Sequence, residues 1–185
     1  MSKARVWAAA LGAAAAALAT SGASAEEIQC HGRIGAVALD NVFVPDGASC
    51  VLDRTRMNGS VVVGRGARLQ ADGVSINGNL QAEGASFVGL GSFSTVGGSV
   101  QIVQGGAATI DRSRIKGDLQ FDSNGGPLSA SANTIGGSLQ AFQNRGGASF
   151  VNNRMNGNMQ CKENVPAPTG SGNRSPSKED QCERL

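Results

Sequence analysis

An all-β parallel β-helix is the fold predicted by this 185-residue sequence, and three observations carry the prediction. A short pattern recurs six times, with central glycines at Gly59, Gly78, Gly98, Gly117, Gly137 and Gly157, in steps of 19, 20, 19, 20 and 20 residues. Around each glycine the apolar positions alternate with polar ones, which is the period of a strand and not of a helix. The chain has 27 Gly, 6 Phe and no Tyr, so its core must be narrow and built from small and branched side chains. One repeat cannot bury its apolar face alone, whereas stacked coils hydrogen-bond edge to edge around a shared core. About seven coils of 19–20 residues are expected. That coil length does not fit the six-residue period of left-handed hexapeptide helices, so a right-handed path is expected.

Residues 1–25 read as a cleaved signal peptide. Lys3 and Arg5 form the positive region, the Ala-rich run from Ala8 to Ala19 the apolar core, and Ala23-Ser24-Ala25 the cleavage site. The leader takes two of the 16 Lys+Arg and none of the 14 Asp+Glu, leaving 14 of each and a net charge of zero. Such a balance argues against a nucleic-acid partner or an anionic-lipid surface. The leader is too short to span a bilayer and no later apolar run exceeds a few residues, so no membrane insertion is expected. The expected location is outside the cytoplasm, periplasmic or extracellular.

Residues 26–56 read as an N-terminal cap and first coil, because Val42-Phe43-Val44 repeats as Val61-Val62-Val63 at an offset of 19. Residues 57–164 are the regular repeats. Two positions after each glycine come Val61, Leu80, Val100, Leu119, Leu139 and Met159, and two further on Val63, Ala82, Ile102, Phe121, Ala141 and Cys161. Both columns should face inward. Between them Val62, Gln81, Gln101, Gln120, Gln140 and Gln160 should face out, beside a second outward column of Ser60, Asn79, Ser99, Asp118, Ser138 and Asn158. These polar columns are expected to hydrogen-bond from coil to coil, with a sugar-binding plane as the alternative. A second Gly-Ala-type corner, as at Gly66-Ala67 and Gly147-Ala148, divides each repeat into two or three strands.

Residues 165–185 carry Pro166, Pro168, Pro176 and the run Lys178-Glu179-Asp180, and read as a terminal cap that is a poor template for another strand. Four cysteines in an exported chain favour disulfides. Cys30 precedes Cys50 by 20 residues and Cys161 precedes Cys182 by 21, each about one coil. Adjacent coils lie ~4.8 Å apart, within disulfide reach. Staples Cys30–Cys50 and Cys161–Cys182 are therefore expected.

The segment Gln160-Cys161-Lys162-Glu163-Asn164-Val165-Pro166-Ala167-Pro168-Thr169-Gly170, followed by Lys178-Glu179-Asp180-Gln181-Cys182, resembles the ending of a group of small exported bacterial repeat proteins with no assigned function. The resemblance implies export and a stapled end, and no activity. Ser175-Pro176-Ser177 departs from the glycine-containing strand expected there. More loosely, the Gly-x-Leu/Val-x coils resemble bactofilins, polymer-forming β-helices that are cytoplasmic and lack such cysteines.

Chemistry has few candidates. A lone His31 supports neither a metal cluster nor a triad and reads as a surface residue of the cap. The only dense charge cluster is Asp111, Arg112, Arg114, Lys116, Asp118 and Asp122, with Gln120 between the last two. Polysaccharide lyases and hydrolases need paired carboxylates or a calcium-binding acidic group. The cluster therefore offers a calcium or acidic-sugar site as the alternative to a self-neutralising surface. Arg56, Arg114 and Arg154 share a column, but Ser75, Thr95 and Thr134 interrupt it, so no basic stripe is expected. The reading is a non-catalytic structural or surface-interaction module with an unidentified surface or glycan partner, no cofactor and a monomeric state. A carbohydrate-active protein and a filament subunit are the alternatives.

Overall fold

The computed structural model describes residues 26–185; the predicted leader lies outside the described residues. It is an all-β solenoid of three parallel sheets. In one coil the chain runs through Leu119–Asp122 on a first face, Leu128–Ser131 on a second and Thr134–Ile135 on a third, then returns to the first as Leu139–Phe142. Repetition builds sheets of nine, eight and seven strands, each strand paired with its equivalent one coil away. Coils start on the first face at Glu27 and the eighth ends near Arg174, after which Lys178–Asp180 pairs with Met159–Cys161 and closes the stack. Eight coils, one more than expected, arise because Glu27–Leu39 makes a complete short coil without the glycine pattern. β structure also resumes directly after Ser175-Pro176-Ser177.

Both apolar columns of the first face point inward as expected. Val61, Leu80, Val100, Leu119, Leu139 and Met159 are all fully buried, and so are Phe121, Ala141 and Cys161. Volume is traded within a coil. Phe121 on the first face lies in the coil where the second face supplies Ala130, and one coil later Phe150 on the second face is matched by Ala141 on the first. The two rings stack at 6.0 Å between centroids. A bore of fixed width accepts one large ring per level, since overfilling a packed interior costs about as much as emptying it.

The glycine column is explained by close approach and not by backbone angle. At each level the Ser, Asn or Asp that follows the glycine curls over the next coil's glycine. Its side-chain oxygen then accepts the N–H of the residue beyond. Asn41 Oδ1 takes Ser60 N at 2.9 Å, Ser60 Oγ takes Asn79 N at 3.0 Å, and Asn79 Oδ1 takes Ser99 N at 2.8 Å. The series continues through Ser99, Asp118 and Ser138 to Asn158 N. A Cβ at Gly98 would collide with Asn79 Oδ1, and one at Gly137 with Asp118 Oδ1. The pattern Gly-[Ser/Asn/Asp] is thus a steric socket followed by the acceptor that fills the next one.

Corners use a different device. Between faces a residue with positive φ, such as Arg112, Ser123, Ala132, Gln143 or Asn152, turns the chain and is followed by a buried polar side chain. In the C-terminal coils that side chain is asparagine in two internal columns, Asn124-Asn144-Asn164 and Asn133-Asn153-Asn173. Asn144 Oδ1 accepts Asn124 N and Nδ2, both at 3.0 Å, while Asn144 Nδ2 donates to Phe121 O and to Asn164 Oδ1. Gln181 ends this column by accepting from and donating to Asn164. No buried side-chain nitrogen or oxygen among the described residues lacks a partner. Each such group, left unpaired, would cost about 1–3 kcal/mol.

Both expected disulfides are present, with Cα separations of 5.5 Å for Cys30–Cys50 and 5.1 Å for Cys161–Cys182. At the C-terminal end a turn over Gln181–Leu185 folds beneath the last strand and places Cys182 and Leu185 against the core.

Two outcomes test this account. Gly98→Ala should destabilise the protein by about 1–3 kcal/mol. The cost should fall by at least ~0.5 kcal/mol in an Asn79→Ala background; strictly additive costs in denaturant melts would contradict the socket. Removing the first staple as Cys30→Ser/Cys50→Ser opens a 20-residue loop worth roughly 3 kcal/mol. Because solenoid coils contact only their neighbours, amide exchange should accelerate in Glu27–Gln29 and hardly change in Leu119–Asp122. Uniform acceleration would show that the staple does not act locally.

Candidate functional site

The residues of the predicted charge cluster are distributed over all three faces. Asp111 ends Ala107–Asp111 on the second face, Arg114 lies in Arg114–Ile115 on the third, and Lys116 follows it toward the corner. Asp118, Gln120 and Asp122 belong to the first face, around Leu119–Asp122. The cluster is thus spread around the coil, since the chain turns twice between Asp111 and Asp122. Only Asp118, Gln120 and Asp122 share a face.

The partners of these side chains are structural. Asp118 Oδ1 accepts Ser138 N at 2.7 Å and so belongs to the outer acceptor column. Asp122 Oδ1 accepts the hydroxyl of its neighbour Ser123 at 2.7 Å. Asp111 Oδ1 accepts the Ser131 hydroxyl at 2.6 Å, and its Oδ2 meets Arg112 Nε at 2.6 Å. The Ser131 hydrogen bond and then the Arg112 guanidinium hold the Asp111 carboxyl below the usual carboxylate range, against a smaller opposing effect of burial than the first of these. Asp53 is lowered in the same way by Arg33, at 2.6 Å, and by Arg54, at 3.3 Å.

The glutamine column forms a partial ladder. Gln81 Nε2 donates to Gln101 Oε1 at 3.2 Å, Gln140 to Gln160 at 3.0 Å, and Gln160 to Glu179 at 2.7 Å. Over its N-terminal part, Val62, Gln81, Glu83, Gln101, Arg65 and Asp46 line an open depression of about 550 Å³. His31 is exposed in the cap, as expected. Among the described residues no three His, Cys, Asp or Glu side chains cluster as a metal site would require.

The third face carries what residue counts alone do not reveal. Its outward column runs Arg56, Ser75, Thr95, Arg114, Thr134, Arg154 and then Arg174, which a bridge sets beside Arg154. Arg54 and Arg112 flank it at one corner and Lys116 at the other, all exposed. Arg54 and Arg112 pair with Asp53 and Asp111 at the margin of the second face; Arg56, Arg114, Lys116, Arg154 and Arg174 form no ion pair with a described residue. The column that looks interrupted in the sequence is thus a basic face. The even count of acidic and basic residues over 26–185 hides it, because Asp118, Asp122, Glu163, Glu179 and Asp180 gather on or beside the first face.

Phe93 marks the middle of that basic face. The corner Gly91-Ser92-Phe93-Ser94 holds one residue more than Asp111-Arg112-Ser113 in the next coil, since Val88 pairs at an offset of 20 and Thr95 at 19. Phe93 takes the exposed, positive-φ corner position of Arg54, Arg112, Ala132 and Asn152, and is itself 77% exposed at φ 63°. It lines a groove of about 430 Å³ with Thr95, Arg112, Arg114, Ala132 and Thr134. The Arg112 guanidinium sits 5.8 Å over its ring.

The Asp111 contacts predict a pH dependence. A carboxyl lowered by folding contributes stability above its unfolded pKa and loses it as pH falls through the folded value. Asp111→Asn should therefore be less stable than the parent at neutral pH, and the gap should close as acidification passes below the ordinary aspartate range. Thermal melts across that range read it; a gap independent of pH would remove the charge contribution. Comparison of the chain with protein-family models, with curated proteins and with solved structures returns no match.

Proposed function

We propose that this protein is an exported, non-catalytic β-helical module that acts as a monomer by presenting an extended rigid face to a surface partner. The observation that carries the reading is how its polar side chains are used. Of the carboxylates a polysaccharide-degrading site would draw on, Asp111 and Asp118 are held by hydrogen bonds to neighbouring coils, with Asp118 part of the column that stacks them, and Asp122 is engaged by the hydroxyl of Ser123. Asp111 is in addition held below the usual carboxylate range, the opposite of what a general acid needs.

Two disulfides fit an oxidising compartment, and a location outside the cytoplasm follows from combining them with the leader-like residues 1–25. The C-terminal turn over the last strand supports the monomeric state, since it covers core that a stacked neighbour would otherwise meet.

The test is a glycan array run in parallel with a depolymerisation assay, with and without calcium. Retention of one or more glycans without product release is the expected result. Product release that Asp118→Asn or Asp122→Asn abolishes would overturn the non-catalytic reading. Light scattering should give a monomer at all concentrations, and concentration-dependent polymers would favour a filament subunit instead.

A further inference from the structure

Phe93 holds the positive-φ corner position that other coils fill with Arg54, Arg112, Ala132 or Asn152, so folding asks for no aromatic residue there. A bulky aromatic residue rarely adopts positive φ, and this one gains no burial by doing so. The corner angle is common to the coils, so what singles this one out is a large apolar ring left in solvent beside cations. The groove it lines supplies two further groups of one chemistry, the Arg112 and Arg114 guanidiniums, with the Thr95 and Thr134 hydroxyls between and around them. Beyond the groove, Arg154 stands two coils from Arg114 in the same column, about 9.6 Å at ~4.8 Å per coil, and Arg174 one coil further.

Resting on the surface-module reading, we propose that the third face binds an acidic polysaccharide, a uronate-containing chain lying along the solenoid axis, with a pyranose ring against Phe93 and carboxylates on Arg114 and Arg154. The apolar face of a sugar ring fits an exposed phenyl ring. Guanidinium forks fit carboxylates with two parallel hydrogen bonds. The residues between the cations are hydroxyls, which suit a hydroxylated polymer and not the apolar insertion that holds a protein on a bilayer. The two-coil interval between Arg114 and Arg154 is close to the length of a disaccharide, so alternate sugars of an extended chain meet a cation.

The face is also protected from self-neutralisation. Arg114 and Arg154 have no ion-pair partner among the described residues, so binding an anion breaks no existing salt bridge. Arg112 is already paired with Asp111, which leaves it to support the ring and not to compete for the ligand.

Polygalacturonate is the probe, titrated against the full chain with its disulfides intact, beside neutral dextran, phosphatidylglycerol vesicles and single-stranded DNA. Saturable, salt-sensitive binding to polygalacturonate and none to dextran is expected. Arg114→Gln/Arg154→Gln should weaken it about tenfold or more and flatten its salt dependence. Phe93→Asn, which tolerates the same backbone angle, should weaken binding several-fold with the salt dependence unchanged. Arg65→Gln, at the edge of the first face, should bind as the parent does. No binding at low salt, equal loss in Arg65→Gln, or tighter binding to vesicles or DNA would each overturn the proposal. Failure here is separable from failure of the broader reading. Loss confined to first-face variants moves the site and leaves the module reading intact, whereas release of cleaved uronates sinks the non-catalytic reading even if Arg114→Gln/Arg154→Gln still abolishes binding.

Discussion

Coils stacked ~4.8 Å apart leave no room above a residue for anything larger than a neighbouring backbone, unless the side chain beside it is the one that fills the gap. The pairing of glycine with Ser, Asn or Asp meets that constraint at one corner of six of the eight coils. The glycine vacates the space, the acceptor of the previous coil occupies it, and an N–H that the turn would leave unpaired is taken up. Serine and asparagine are interchangeable there because each presents an oxygen within reach. Aspartate at 118 works for the same reason, and its charge is incidental to the geometry.

The same constraint acts inside. A corner that bends the strands directs two or more backbone groups toward the bore, where water cannot satisfy them. Asparagine is suited to this position because its amide offers an acceptor and donors at once. One Asn144 side chain serves the coil before it and the coil after it. In the N-terminal half the corresponding corner carries Thr55, Val74, Ser94 and Ser113 instead, and the links between coils are single hydroxyls: Thr55 Oγ1 donates to Ile34 O and Gly35 O, and Ser94 Oγ donates to Gly91 O and accepts Val74 N of the preceding coil. The outer acceptor column runs through both halves, and the C-terminal coils add continuous internal asparagine columns, where the N-terminal coils have hydroxyl links, apolar packing and the Cys30–Cys50 staple.

Much of this was legible in the sequence because a solenoid writes its period directly. The inward columns at Val61 and Val63, the outward glutamines and both cysteine pairs follow from a step of 19 or 20 residues. The asparagine columns were equally periodic, at 124, 144 and 164 and at 133, 153 and 173, but asparagine in a loop reads as a turn residue, and nothing local marks it as buried. The first coil escaped notice because it is shorter than the others and has no glycine socket. The scattered fate of Asp111, Arg114 and Asp118 has a geometric origin: residues close in sequence share a face only when no corner intervenes, and three corners per coil separate them.

Charge obeys that rule in reverse. Arg114, Arg154 and Arg174 are far apart in the chain and lie on one column, whereas Asp111 and Arg114 are three positions apart and lie on different faces. Composition averages over the faces and returns no net charge for residues 26–185. Folding sorts the same residues, because a column samples the sequence once per coil and the sign at that position is free of the constraints that fix glycine, asparagine and the apolar columns. Where the stack demands nothing of an outward position, its residue can answer to a partner. The strand column of the third face is such a position: it alternates Ser, Thr and Arg with little effect on the backbone pairing beneath it. Phe93 is the complement of that freedom, a corner residue whose aromatic ring regular stacking does not need, set beside the two cations nearest the middle of the face.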